Sequence, residues 1–180
     1  RRLGIPITLS VLYIELGRRI GLPLQGVSFP GHFLVMLPVS HGAVVLDPFA
    51  HGASLDMDDL EQFLQQAQPQ GRPESGQIRA LLVPASTTEI LIRMLRNLKA
   101  IYWQRKDLLD ALWVQDLLLA IDRDLVEERR DRGILHQEIG YFPAAIEDFT
   151  AYLSQSPNAV DAELIRSRLV DLNTNPSRVH

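Results

Sequence analysis

Apolar residues at Leu9, Leu12, Leu16 and Ile20 recur at spacings of three and four, which predicts a helix over Pro6–Ile20 with one apolar face. Pro6 suits a first helical turn, and Gly21 with Pro23 behind it suits the stop. Gly17 inside such a helix costs roughly 1 kcal/mol against Ala, which implies close packing there. The period then changes. Leu24–Phe29 is short and partly apolar, and Pro30-Gly31 follows. His32–Leu37 and Ala43–Leu46 are strand-length runs around a Pro38–Gly42 turn, and together they predict a hairpin. Leu55–Ala67 reads as a second helix, capped by Ser54 or Asp56 and acidic in its first turn. Gln66–Gly76 has no period and marks a loop or boundary.

Beyond Pro84 the strand signal fades and the pattern is helical: Thr87–Gln104, Asp107–Ile121, Leu125–Ile139, Pro143–Ser154 and Ala159–Leu172. This half also repeats. Gly133, Gly140, Phe142, Ala145, Phe149 and Pro157 fit the small-residue, aromatic and proline positions of a tetratricopeptide repeat. A shift of 34 residues aligns Tyr102 with His136, Ala111 with Ala145 and Leu118 with Tyr152. Lys106 then stands for the turn glycine and Arg123 for the proline. An unrelated antiparallel bundle is the alternative. In the repeat reading, Gly133, Ala145 and Phe149 sit between the two helices of one hairpin, with Ala145 against Gly133. The concave face carries a short peptide groove, filled in part by the last helix or by the first half of the chain.

Composition narrows the chemistry. The 180 residues, 46% hydrophobic and 22% charged, fit one large or two small globular domains. A net charge of −4 argues against binding nucleic acid through overall positive charge. No apolar run is long enough to span a bilayer, and no membrane association is expected. The chain opens Arg-Arg-Leu-Gly, which reads as a truncation. The cysteine count is zero, which removes disulfides, thiolate metal sites and a thiol nucleophile from these residues.

The candidate chemistry centres on His32 and Asp47. A two-residue turn at Ser40-His41 sets Asp47 opposite Leu34 and His32 two residues further along the same face. A one-residue slip would separate them. An Asp that accepts from an imidazole N–H fixes its tautomer, as in hydrolase triads. A loop-capping His and an Asp-Pro turn are the alternative. Thr8 and Ser10 are the only hydroxyls near the start of the first helix; Ser10 is a weak nucleophile candidate, and helix capping or packing is the plainer role for both. His41 and His51 fit turns, and no metal or cofactor is expected. The Asp56, Asp58 and Asp59 cluster fits a helix start. Arg129-Arg130-Asp131-Arg132 reads as a solvated helix face balanced by Glu127 and Glu128.

Gly4-Ile5-Pro6-Ile7-Thr8-Leu9, Gly21-Leu22-Pro23-Leu24, Phe29-Pro30-Gly31-His32-Phe33 and Asp47-Pro48-Phe49, in this order, resemble the bacterial SirB-type family. That family joins a transglutaminase-like domain to tetratricopeptide repeats. The resemblance implies an α+β chain: a papain-like, transglutaminase-like core over residues 1–84 and an all-α tetratricopeptide-like module over 85–180. It aligns His32 and Asp47 with the second and third members of the superfamily's Cys-His-Asp set and puts Pro6 where the Cys belongs. The resulting expectation is a cytoplasmic binding or regulatory scaffold. It would engage an unknown protein or peptide through its helical module and would be no thiol-dependent transglutaminase or protease. A hydrolase using His32 and Asp47 with a Ser, Thr or water nucleophile is the alternative.

Overall fold

The computed structural model describes residues 5–69 and 75–174. The opening Arg1–Gly4 and the middle of the Gln66–Gly76 loop lie outside the described residues. The chain packs as two compact units, residues 1–94 and 95–180, with the division inside one long helix.

Unit one begins with α1 (Pro6–Arg19). Thr8 anchors its start: its Oγ1 accepts from the Ile5 N–H at 3.1 Å and donates to the Ile5 carbonyl at 2.9 Å. The helix forms where the periodicity puts it, but the apolar stripe is not its buried face. Leu12, Leu16 and Ile20 are exposed, and Ile7, Ser10 and Gly17 are buried instead. Ser10 and Gly17 let this face of the helix approach its neighbours closely, and Ile7 fills the core beside them. A Cβ on Gly17 would lie 2.6 Å from Leu24 Cδ1, which accounts for the glycine.

Four antiparallel strands follow in the order β1-β2-β3-β4: β1 (Gln25–Val27), β2 (Leu34–Val39), β3 (Gly42–Asp47) and β4 (Ala53–Leu55). The β2–β3 register runs from Val39↔Gly42 to Val35↔Leu46, so the turn is Ser40-His41. One step further Leu34 faces Asp47, the register that the turn signal predicts. β1 and β4 are additions to the hairpin, each three residues long and too short to show alternation.

Leu34, Val35 and Met36 are all buried, so β2 is covered on both faces. On one side Val27, Leu34, Met36 and Val45 pack with Leu60 and Leu64 of α2 (Met57–Ala67) and with Ile78 of α3 (Ser75–Leu81). α1 packs against β1 and β2. Asp56 caps α2 by accepting from the Asp58 and Asp59 N–H groups, each at 2.9 Å, while Asp59 reaches back to the Asp56 N–H. The helix α3 overlaps the Gln66–Gly76 stretch only at Ser75 and Gly76 and otherwise lies where the sequence pattern assigns no element. It is one to two turns long and buries Ile78, too little for a visible period.

The helices of the second half are α4 (Thr87–Arg105), α5 (Leu108–Ile121), α6 (Val126–Glu138), α7 (Phe142–Gln155) and α8 (Ala162–Thr174). The 34-residue repeat is visible in the backbone. The Asp107 N–H donates to the Tyr102 carbonyl at 2.9 Å, and the Tyr141 N–H to the His136 carbonyl at 2.7 Å. Lys106 donates to Trp103 as Gly140 does to Gln137, which completes the same six-to-one, five-to-two helix ending twice. Lys106 has φ +62° and Gly140 φ +81°, so the lysine adopts the left-handed conformation that the glycine adopts freely.

Gly133 and Phe149 meet between α6 and α7. A Cβ on Gly133 would lie 2.7 Å from both Phe149 Cδ1 and Cε1. This corrects the expectation that Ala145 packs on Gly133. In an antiparallel hairpin, residues about equally far from the Gly140-Tyr141 turn face one another; Asp148 and Phe149 meet that condition, and Ala145 is too close to the turn. Ala145 is fully buried in the same core, with Phe149, Tyr152, and Ile165 and Leu172 of α8. The last helix is thus part of the module's core.

Candidate functional site

His32 precedes β2 rather than lying on it. Gly31 takes φ +70° and the His32 N–H donates to the Phe29 carbonyl at 3.1 Å, so Pro30-Gly31 forms a tight turn. From this turn the imidazole reaches the end of β3, where His32 Nε2 lies 3.1 Å from Asp47 Oδ2. Asp47 is buried, and its other oxygen accepts from the Phe49 N–H at 2.8 Å. A carboxylate held on both oxygens can only accept, so neutral His32 carries its proton on Nε2 and leaves Nδ1 as a lone pair. Among the described residues Nδ1 has no hydrogen bond. The ring stacks on Phe63 of α2, with centroids 4.5 Å apart and planes at 13°. Beside it lies a hollow of about 170 Å³ lined by Pro30, Gly31, His32, Phe63, Gln66 and Ala67.

Arg93 holds this turn in place. Its Nη1 donates to Ser28 Oγ at 2.7 Å and to the Phe29 carbonyl at 3.1 Å; its Nη2 donates to the His32 carbonyl at 2.9 Å. The guanidinium also lies 5.5 Å from the centroid of the Phe33 ring. Burial moves the Arg93 pKa downward from its ordinary value. The sequence carries no signal for this residue or for Phe63, since neither stands at a motif spacing from His32.

The start of α1 supplies the hydroxyls. Ser10 is fully buried, and its Oγ lies 2.9 Å from the Pro6 carbonyl and 3.1 Å from the Phe33 carbonyl. A hydroxyl has one proton to donate, so both acceptors share it. Through Phe33 the helix start is tied to the residue after His32. Thr8 is engaged with Ile5, as described above. His41 occupies the exposed β2–β3 turn and His51 an exposed turn before β4, where it takes φ +57°.

In the second unit the arginine run is not a solvated face. Glu128 is buried and accepts from Arg96 Nε at 2.6 Å, Lys99 Nζ at 2.5 Å and Gln115 Nε2 at 2.9 Å. Burial pushes its pKa up, but the bonds from Lys99, Arg96 and Gln115 outweigh it and hold the carboxyl below its ordinary value. Arg132 donates to both oxygens of the buried Asp148, at 2.9 and 2.7 Å, and His136 Nδ1 lies 3.1 Å from Asp148 Oδ2. Arg130 spans Asp131 and Asp161. The correction has a simple cause: a helix in the middle of a repeat array is covered on several sides, so its charges find partners across helices. Repeat position matters too. Lys99 and Gln115 stand 34 residues before Gly133 and Phe149, so polar side chains replace the glycine–aromatic contact in the first repeat.

A papain-like core with a His/Asp pair beside a helix start, joined to paired helices of 34-residue period, defines a transglutaminase-like protein with tetratricopeptide repeats. The profile of the transglutaminase-like superfamily matches residues 1–96, more than half of the chain, and this chain belongs to that superfamily. A tetratricopeptide repeat profile matches residues 98–170, which gives the SirB-type arrangement. A UPF0162 protein of Xylella fastidiosa is 39% identical over 185 residues, covering all of this chain and 64% of the relative. A UPF0162 protein of Vibrio cholerae is 31% identical, covering 94% of this chain and 62% of its own. Protein SirB1 of Salmonella typhimurium is 25% identical over the same shares. The chain therefore spans a little under two thirds of the relatives it matches. No helix among the described residues is long and apolar enough to cross a membrane.

Proposed function

We propose that this chain is a non-catalytic binding or regulatory scaffold, in which residues 1–84 keep the shape of an acyl-transfer domain and residues 85–180 engage a protein or peptide partner. The observation that carries the reading is the nucleophile position. No cysteine is present in the 180 residues, Pro6 stands at the helix start, and the Ser10 hydroxyl is buried against two backbone carbonyls. Tetratricopeptide repeats generally mediate protein–protein interactions, which supports the role of the helical unit. In this reading His32 and Asp47 are a structural remnant that fixes the Pro30–Phe33 turn against β3. The test is amine incorporation into a glutamine donor, together with covalent labelling by an acyl-directed probe. The scaffold reading expects neither, and labelling at Ser10 or Thr8 would overturn it.

One observation favours a second reading, a hydrolase that activates water. Nδ1 of His32 carries a lone pair beside a hollow, with Asp47 orienting the ring from behind. Ester hydrolysis that disappears in His32→Ala and in Asp47→Asn would establish it.

A further inference from the structure

The second unit carries a groove of about 320 Å³ whose walls come from α4, α6 and the start of α8. Its apolar surface is Ala100, Trp103, Ile134, Leu164 and Ile165. Leu164 is 58% exposed, and Val160, one turn before it, is fully exposed. The charged residues in the walls are Lys99, Arg130, Asp131 and Asp161. Each is already paired. Lys99 bonds Asp131 at 2.8 Å as well as Glu128, and Arg130 bonds Asp131 and Asp161, both at 2.7 Å. Asp161 is further held by the Tyr152 hydroxyl at 2.5 Å. With Arg96 and Glu128, the cluster has three cations and three anions and carries no net charge.

A carboxylate or ammonium that entered this groove would give up hydration and meet only charges already neutralised by a partner, so a new pair recovers little of that cost. An uncharged apolar side chain meets no such cost and covers Trp103, Ile134 and Leu164, which water now wets. We infer that the groove recognises an uncharged, apolar stretch of a partner polypeptide, anchored by a large aliphatic or aromatic side chain, and rejects acidic and basic segments. The inference rests on the binding-module reading above and specifies its ligand.

Trp113 lies outside the groove and is exposed, so Trp113→Phe leaves Trp103 as the single tryptophan. In that background the emission of Trp103 is titrated with three pools of N-acetylated, C-amidated heptapeptides. Their central triplets are drawn from Leu, Ile, Phe and Met, from Asp and Glu, or from Lys and Arg. The apolar pool is expected to give a saturable shift, weakened about tenfold by Leu164→Ser, with an unchanged thermal midpoint because that side chain is already exposed. Asp161→Asn, which frees one bond of Arg130, is expected to raise the response to the acidic pool. A stronger response to either charged pool in the parent overturns the inference and leaves the binding module standing, as does an Asp161→Asn protein with no gain. A flat response to all three pools overturns both.

Discussion

Gly133→Ala sets two effects of opposite sign against each other. In an exposed helix interior the exchange would stabilise by about 1 kcal/mol, since Ala restricts the unfolded chain and favours helix. Here the new methyl carbon would lie 2.7 Å from two carbons of the Phe149 ring and 3.2 Å from Asp148 Cβ, against the ~3.5–4 Å that carbon atoms prefer. Neither neighbour is free to yield. Phe149 is fully buried among Ala145, Tyr152 and Ile165, and Asp148 is fixed by Nε and Nη2 of Arg132. Overpacking of this kind costs ~1–3 kcal/mol. With both neighbours held, the cost falls in the upper part of that range, about 2–3 kcal/mol, so the net expectation is a loss of about 1–2 kcal/mol, or a urea midpoint lower by about 1 M. Trp103 and Trp113 are the two tryptophans and both lie in the unit 95–180, so tryptophan emission follows this unit by itself. In a Phe149→Leu background the penalty should vanish, because the ring edge that the methyl meets is gone. A Gly133→Ala protein as stable as the parent would refute the close approach of α6 and α7.

Lys106→Gly should stabilise the same unit by about 0.5–1 kcal/mol in the same assay, because it removes left-handed strain of ~1–2 kcal/mol while restoring some unfolded-state freedom. Burial pushes the Asp148 pKa up, yet the bonds from His136 and Arg132 hold it below the ordinary carboxylate value. A carboxyl depressed in the folded state stabilises above its unfolded pKa of ~4, and that contribution disappears as pH falls through the lower folded value. Urea midpoints at pH 6 and below pH 4 should therefore diverge in the parent and converge in Asp148→Asn, which at pH 6 should lose about 2 kcal/mol by removing the charge that Arg132 and His136 bond, while Asp116 still holds Arg132 Nη1. Asp47→Ala should cost ~1–3 kcal/mol, because it strands the Phe49 N–H and frees the His32 ring. Faster amide exchange in β2 and β3, with a change in the His32 imidazole nitrogen shifts, would register it.

Local pattern determined a good deal of this molecule. Helix positions in the second half follow from 3.6-residue periodicity, and the 34-residue shift already aligned Lys106 with Gly140 before their shared left-handed backbone was visible. Turn chemistry at Ser40-His41 set the β2–β3 register, and with it the approach of His32 to Asp47. These features are legible because each depends on residues close in sequence. What a face packs against is not a local property. The leucine stripe of α1 is the stronger hydrophobic signal, yet Ile7, Ser10 and Gly17 are buried, because close approach to Leu24 and Phe33 rewards small side chains. The charged run of α6 looks solvated until α4 brings Arg96 and Lys99 to Glu128, α7 brings Asp148 to Arg132 and the start of α8 brings Asp161 to Arg130. Arg93 stands more than sixty residues from the turn it holds, a separation that only the folded chain closes. Periodicity names the elements, and long-range packing chooses which of their side chains meet.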